Sequence, residues 1–229
     1  MEFNAATLLS IGQIIWIDLL LSGDNAVVIA LACRSLPDNQ RKTGIFLGAS
    51  AAVILRIAFA LVITQLLAIP FLQALGGVLL FWIAVKLIKG EEEEEKNIKA
   101  SDKLWAAVGT IAMADAVMSL DNVVAISAAA DGHAELFIFG LLLSVPLIVF
   151  GSTLVMGLIE RFPVFVWAGA GLLGWIAGEM LVRDVALMKV IGVTPTHSME
   201  YAAAALGAAV VVAIGYFLKK RSSQEPNAG

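Results

Sequence analysis

Asp18-Leu-Leu-Leu-Ser-Gly-Asp24-Asn25-Ala-Val27 returns 97 positions later as Asp115-Ala-Val-Met-Ser-Leu-Asp121-Asn122-Val-Val124. The shared pattern is D-x3-S-x-D-N-x-V, and each copy interrupts a long apolar run. A carboxylate costs about 2.5–3.5 kcal/mol at the centre of a membrane helix, so four aspartates approach about 10–14 kcal/mol. Helix packing does not require that expense, and acids at such a depth mark ion pathways and proton relays. The two boxes are therefore the candidate site.

The flanking sequence fixes the class. Of 229 residues, 60% are hydrophobic and 15% charged, with a mean hydropathy of +0.90. A soluble domain is about 45–50% apolar and about 25% charged. The composition predicts an integral membrane protein with no room for a soluble catalytic domain. The net charge of −4 is dominated by one run, Glu91–Glu95, and says little about partners. Cys33 is the single cysteine, so no intrachain disulfide forms, and it reads as a small packing residue. No basic residue precedes the first apolar run, so that run reads as a mature helix and not a cleaved leader.

A spanning helix needs about 20 largely apolar residues. Seven segments qualify, roughly 7–33, 44–68, 70–88, 104–130, 135–158, 163–182 and 200–218. Connections after the first, third and fifth segments, with the tail, carry Arg34, Arg41, Lys42, Lys89, Lys96, Lys99, Lys103, Arg161, Lys219, Lys220 and Arg221. The other side carries Arg183 and Lys189, and this asymmetry puts the N-terminus outside and the C-terminus in the cytoplasm.

The repeat extends past the boxes. Leu79-Leu80-Phe81-Trp82-Ile83-Ala84 matches Leu172-Leu173-Gly174-Trp175-Ile176-Ala177, and Phe46-Leu47-Gly48 loosely matches Ile138-Phe139-Gly140. Three spans per copy is an odd number, so the second copy crosses in the opposite sense. The expected fold is an all-α membrane protein of seven transmembrane helices, a 3+3 inverted repeat plus one extra helix. The expected divisions are 1–90 for the first repeat and 91–103 for a charged cytoplasmic linker. The second repeat then takes 104–182, and 183–229 holds the seventh helix and tail.

On a helix, Asp18, Ser22 and Asn25 share a stripe with Asp24 to its side. Asp115, Ser119 and Asn122 repeat this with Asp121. Carboxylate, hydroxyl and amide oxygens are hard donors, suited to Ca2+, Mg2+ or Mn2+. Gly23 could permit local unwinding in the first copy, whereas the second has Leu120. The two histidines, His133 and His197, fall in connections, so a soft-metal site lacks material. Arg56 lies midway along the second segment, with Ile148 at the matching offset in the fifth. It should contact a box carboxylate, either as a structural ion pair or as an internal cation that pairs with an aspartate when metal is absent. Lys86 should snorkel to the cytoplasmic interface. Glu179 reads as an interfacial acid or a vestibule ligand, and Glu91–Glu95 as a solvated linker. Gly76, Gly77, Gly169, Gly171 and Gly174 read as close-packing positions. Trp16, Trp82 and Trp175 are expected in the core.

The paired boxes, the seven-span plan and Gly48-Ala-x5-Leu55-Arg56 resemble the TerC family of bacterial membrane proteins, in its YjbE-type branch within the LysE transporter superfamily. The resemblance covers roughly residues 8–218. It implies manganese export across the bacterial cytoplasmic (inner) membrane and carries the family's metal positions onto Asp18, Asp24, Asn25, Asp115, Asp121 and Asn122. Ser22, Ser119 and Arg56 then support the site. Manganese comes from the resemblance, since the residues alone specify a hard cation.

Export of two charges against 100 mV costs about 4.6 kcal/mol, and the chain has no phosphate-binding G-x-x-x-x-G-K-[ST] loop to couple it to a nucleotide. Exchange for protons, with one three-helix repeat rocking on the other, is the expected mechanism. The partners called for are a divalent metal ion and the bilayer, with no nucleic acid, no permanently bound cofactor and no enzymatic activity. A Ca2+/H+ exchanger is the alternative within the class. A non-transporting membrane metal sensor or scaffold is the alternative outside it. An intramembrane aspartyl protease would need Gly-x-Gly-Asp, where this chain has Leu21-Ser22-Gly23-Asp24.

Overall fold

The computed structural model describes residues 23–67, 69–89, 100–129 and 134–222. Among these all regular structure is helical: α1 (Gly23–Cys33), α2 (Asp38–Leu67), α3 (Leu72–Lys89), α4 (Ala100–Ala129), α5 (Ala134–Arg161), α6 (Val164–Arg183), α7 (Val185–Ile191) and α8 (His197–Ser222). Five helices, α2, α3, α5, α6 and α8, contain stretches of 18 to 24 residues long and apolar enough to cross a membrane. Most of the expected first span, Asp18 and Ser22 included, lies outside the described residues, as do Trp16, Glu91–Glu95 and His133.

Proline and turn chemistry set the breaks. Pro37 follows the end of α1, and its carbonyl receives the amides of Gln40 (2.8 Å) and Arg41 (3.2 Å) in the first turn of α2. Phe162 and Pro163 separate α5 from α6, with Pro163 at the N-cap, where its missing N–H costs nothing. Pro146 lies inside α5 on an exposed face. Phe71, between α2 and α3, sits at φ 64°, an uncommon conformation for a non-glycine residue.

The helices gather into two compact units. One holds α1, α2, α4 and α5, and the other holds α3, α6, α7 and α8. In the first, α4 packs on both α2 and α1. A side chain added at Gly151 would meet the Ala26 methyl at 3.7 Å, so α5 passes beside α1. Arg41 gathers helix ends within this unit. It pairs with Glu160 and with Asp38 (2.7 Å), and it donates to the carbonyls of Leu36 (3.0 Å) and Arg34 (3.3 Å). In the second unit α6 packs on α8 and α3. It approaches both backbone on backbone: a Cβ at Gly174 would lie 2.6 Å from the Gly207 carbonyl oxygen, and one at Gly77 2.8 Å from that of Ala177. Small residues permit such crossings where lipid supplies no hydrophobic drive between helices.

Each unit thus combines helices from before and after the 91–103 stretch. Parting residues 1–90 from 104–182, the rocking expected from the sequence, would separate α2 from α4 and α3 from α6.

Two features depart from expectation. Trp82 is 54% exposed and not in the core. The buried face of α3 is Ala74, Gly76, Gly77, Leu80, Ile83, Ala84, Leu87 and Ile88, and Trp82 points away from it. The Lys86 ammonium lies 5.5 Å over its ring, the amphipathic pairing suited to an interface. The connection before the last span also contains a short helix, α7. The Asp184 side chain accepts the Leu187 amide (2.8 Å) at its start, and Gly192, at φ 76°, ends it.

Candidate functional site

The site grows out of one stripe on α2. Gly44, Gly48, Ala52 and Arg56 recur every four residues, and all are buried. A Cβ at Gly44 would fall 2.6 Å from Leu36 Cδ1 and 3.1 Å from the buried Cys33 sulfur. One at Gly48 would collide with Ile111 of α4. These gaps bring α2 against α1 and α4, and the stripe then delivers a long cationic side chain into the contact.

Arg56 is 1% exposed and is among the largest fully buried side chains of the described residues. Its Nη2 donates to Asp115 Oδ1 at 2.6 Å, and its Nε donates to Ser119 Oγ at 3.2 Å. The Ser119 hydroxyl donates in turn to Asp115 Oδ2 at 3.0 Å. Asp115 and Ser119 stand one turn apart on α4, the geometry expected from their spacing. Both carboxylate oxygens of Asp115 are therefore engaged. Removing one member of a buried ion pair costs about 3–5 kcal/mol, so this triad locks α2 to α4.

The first box enters through α1. Asp24 is half-buried, and its Oδ1 accepts the Asn25 amide at 2.9 Å. It lies within electrostatic range of Arg56 and of Asp115, so acids from the two boxes share one neighbourhood. Asn25 is buried, yet neither its Oδ1 nor its Nδ2 has a hydrogen-bond partner among the described residues. A buried polar group left unmade costs about 1–3 kcal/mol. Such a group in a folded protein calls for an explanation.

The structure thus joins Arg56, Asp115 and Ser119, with Asp24 in electrostatic range of Arg56 and Asp115 and Asn25 next to it on α1. Asp121 and Asn122 lie on α4 beyond Ser119, with side chains outside the described residues. Among the described residues no three His, Cys, Asp or Glu side chains converge. The donor set described here is two carboxylates, one amide and one hydroxyl, all of it hard oxygen chemistry apart from the amide nitrogen.

Glu179 belongs to a different cluster. It pairs with Arg183 at 2.5 Å, and Arg183 Nε also reaches Glu200 at 3.4 Å. The exposed His197 stands 3.9 Å from Glu200. Sequence reasoning missed Asp184, a buried acid whose Oδ2 accepts the Ala74 amide at 3.0 Å. An acid followed three residues later by a bonded amide, with a glycine closing the segment, was the available signal. It also missed Ser144 and Ser152 on α5, both buried and both bonded to carbonyls of their own helix (2.8 and 2.7 Å).

Residues 3–223 match the family described as the integral membrane protein TerC family. The chain is 48% identical to the membrane protein YjbE of Bacillus subtilis over 77% of its own length and 81% of that protein's. It is 32% identical to Bacillus subtilis YceF, over 58% of this chain and 55% of that one. To the UPF0053 inner membrane protein YgdQ of Escherichia coli it is 26% identical, over 68% and 72%. No solved structure matches.

Proposed function

The chain belongs to the TerC family of integral membrane proteins, and from that premise we propose that it is a secondary transporter. It exports a hard divalent cation, manganese first among them, in exchange for protons. The observation that carries this reading is Asn25, a buried amide beside the Asp24 carboxylate with no hydrogen-bond partner among the described residues. An amide oxygen next to an acid is half of a hard-cation site, and the Asp115 neighbourhood within range of Asp24 supplies a further acid.

The ligands are drawn from the two boxes: Asp18, Asp24 and Asn25 from one, Asp115, Asp121 and Asn122 from the other. Their carboxylates hold the cation, and protons take its place on the acids that have no other positive partner. Protons entering from outside displace the metal, and metal entering from the cytoplasm displaces the protons. The inward electrical driving force on a dication makes such coupling necessary for export. The localisation that goes with this is the bacterial cytoplasmic membrane, with the N-terminus outside and the C-terminus inside, following the distribution of Lys and Arg.

The test is metal content in a host lacking its own manganese efflux, with calcium, iron and zinc measured alongside. The intact chain should lower cellular manganese, while Asp24→Asn and Asp121→Asn should insert normally and fail to lower it. Normal efflux by both variants refutes the assignment. A fall in calcium alone would favour the Ca2+/H+ exchanger, and no flux in sealed vesicles would favour the sensor or scaffold.

A further inference from the structure

We propose that Arg56 is a resident cation of the transport site: it occupies Asp115 when no metal is bound, and it is required for the return of the empty carrier but not for movement of the loaded one. The inference rests on the export reading above and assigns Arg56 a positioning role within it.

The geometry carries the argument. Both oxygens of Asp115 are engaged, Oδ1 by the guanidinium at 2.6 Å and Oδ2 by the Ser119 hydroxyl at 3.0 Å. A dication ligated by Asp115 would sit against that guanidinium, and two positive charges on one dry carboxylate repel strongly. Metal and Arg56 are therefore alternative partners of Asp115. Ser119 takes part in the exchange, because its hydroxyl accepts from Arg56 Nε (3.2 Å) while donating to Asp115. In the exchange the guanidinium withdraws from Asp115 while Ser119 and Asp115 keep their bond.

A carrier that has released its metal must reorient without an uncompensated carboxylate inside it. At the other acids protons provide that compensation. At Asp115 the structure supplies a fixed positive charge instead. The matching position on α5 is Ile148, which is buried and apolar, so the provision exists in one copy of the repeat and not the other. Asp24 lies within electrostatic range of the same guanidinium, which lets Arg56 stay near the site when metal displaces it from Asp115.

The experiment uses the full chain in proteoliposomes and reads two modes. Net manganese movement down a gradient requires the empty carrier to return. Exchange of radioactive for unlabelled manganese, with metal on both sides, does not. Wild type should show both. Arg56→Gln should keep the exchange mode and lose net movement by about tenfold or more, because Asp115 is left unpaired only in the empty state. Arg56→Lys, which retains a charge of similar reach, should keep both modes. Undiminished net movement by Arg56→Gln overturns the proposal, and so does loss of both modes by an inserted variant. If Arg56→Gln fails to insert, Arg56→Lys decides: net movement retained supports a resident cation, and net movement lost overturns it. A wild type inactive in both modes would instead bring down the export reading, and that is seen before any variant is made.

Discussion

Replacing Arg56 with methionine while leaving Asp115 in place should destabilise the protein far more than replacing both. The two side chains are 1% and 3% exposed and meet at 2.6 Å. Arg56→Met leaves the buried Asp115 carboxylate without that cation and should cost about 3–5 kcal/mol. Asp115→Leu alone should cost a similar amount, because it removes the carboxylate held against the buried guanidinium at 2.6 Å. In the double variant the two opposite buried charges leave together, and hydrophobic replacement of a buried pair is often neutral or favourable by about 1–4 kcal/mol. For a chain of this size each kcal/mol shifts Tm by about 2–4 °C, so each single variant should melt about 6–20 °C lower. The double variant should lie near wild type, a coupling of about 6–10 kcal/mol. The assay is thermal unfolding of the purified chain in one detergent, without added metal, for all four members of the cycle. Additive losses, with the double variant melting lower than either single, would refute the reasoning that the pair is held as a unit.

Two further outcomes follow from particular contacts. Asn25→Leu removes two unpartnered polar atoms from a buried position, so stability should hold or rise by about 1–3 kcal/mol while manganese affinity falls; lost stability with unchanged metal binding, by calorimetry, would contradict this. Gly174→Leu should weaken the α6–α8 crossing, because even a methyl there falls 2.6 Å from a backbone oxygen, whereas Gly157→Ala meets nothing within 4 Å and should be silent; equal melting temperatures for the two would count against the packing account.

Much of this was legible in the residues because a membrane imposes length. Apolar runs of about 20 residues locate spans, and the observed helices α2 to α6 and α8 overlie the expected segments within a few residues at most ends. Arg56 was legible for a similar reason: a cation in mid-span must find an anion, and the anions on offer were the box aspartates. The partner turned out to be Asp115, with Ser119 of the same box joining it. Length, however, does not say which face of a span meets protein and which meets lipid. Trp82 was misplaced on that account, since α3 turns its glycines and alanines inward and its tryptophan outward. Periodicity within one segment is equally silent about neighbours far along the chain, so the pairing of α2 with α4 and of α3 with α6 had no local signal. Helix α7 escaped because seven residues are too few for a periodic pattern, although its cap chemistry at Asp184 and Gly192 was written in the sequence.

The interleaving of helices has a consequence for biosynthesis. Helix α3 finds its partners in α6 and α8, and α6 begins only at Val164. At ribosomal speeds of about 5–20 residues per second, α3 waits about 4–15 s in the bilayer before the first of them emerges. Throughout that interval its Gly76-Gly77 surface, shaped to lie against another backbone, faces lipid or the insertion machinery. The nascent chain must therefore store α3 as a solitary span and recruit it late, after the helices carrying the acidic boxes have already been made.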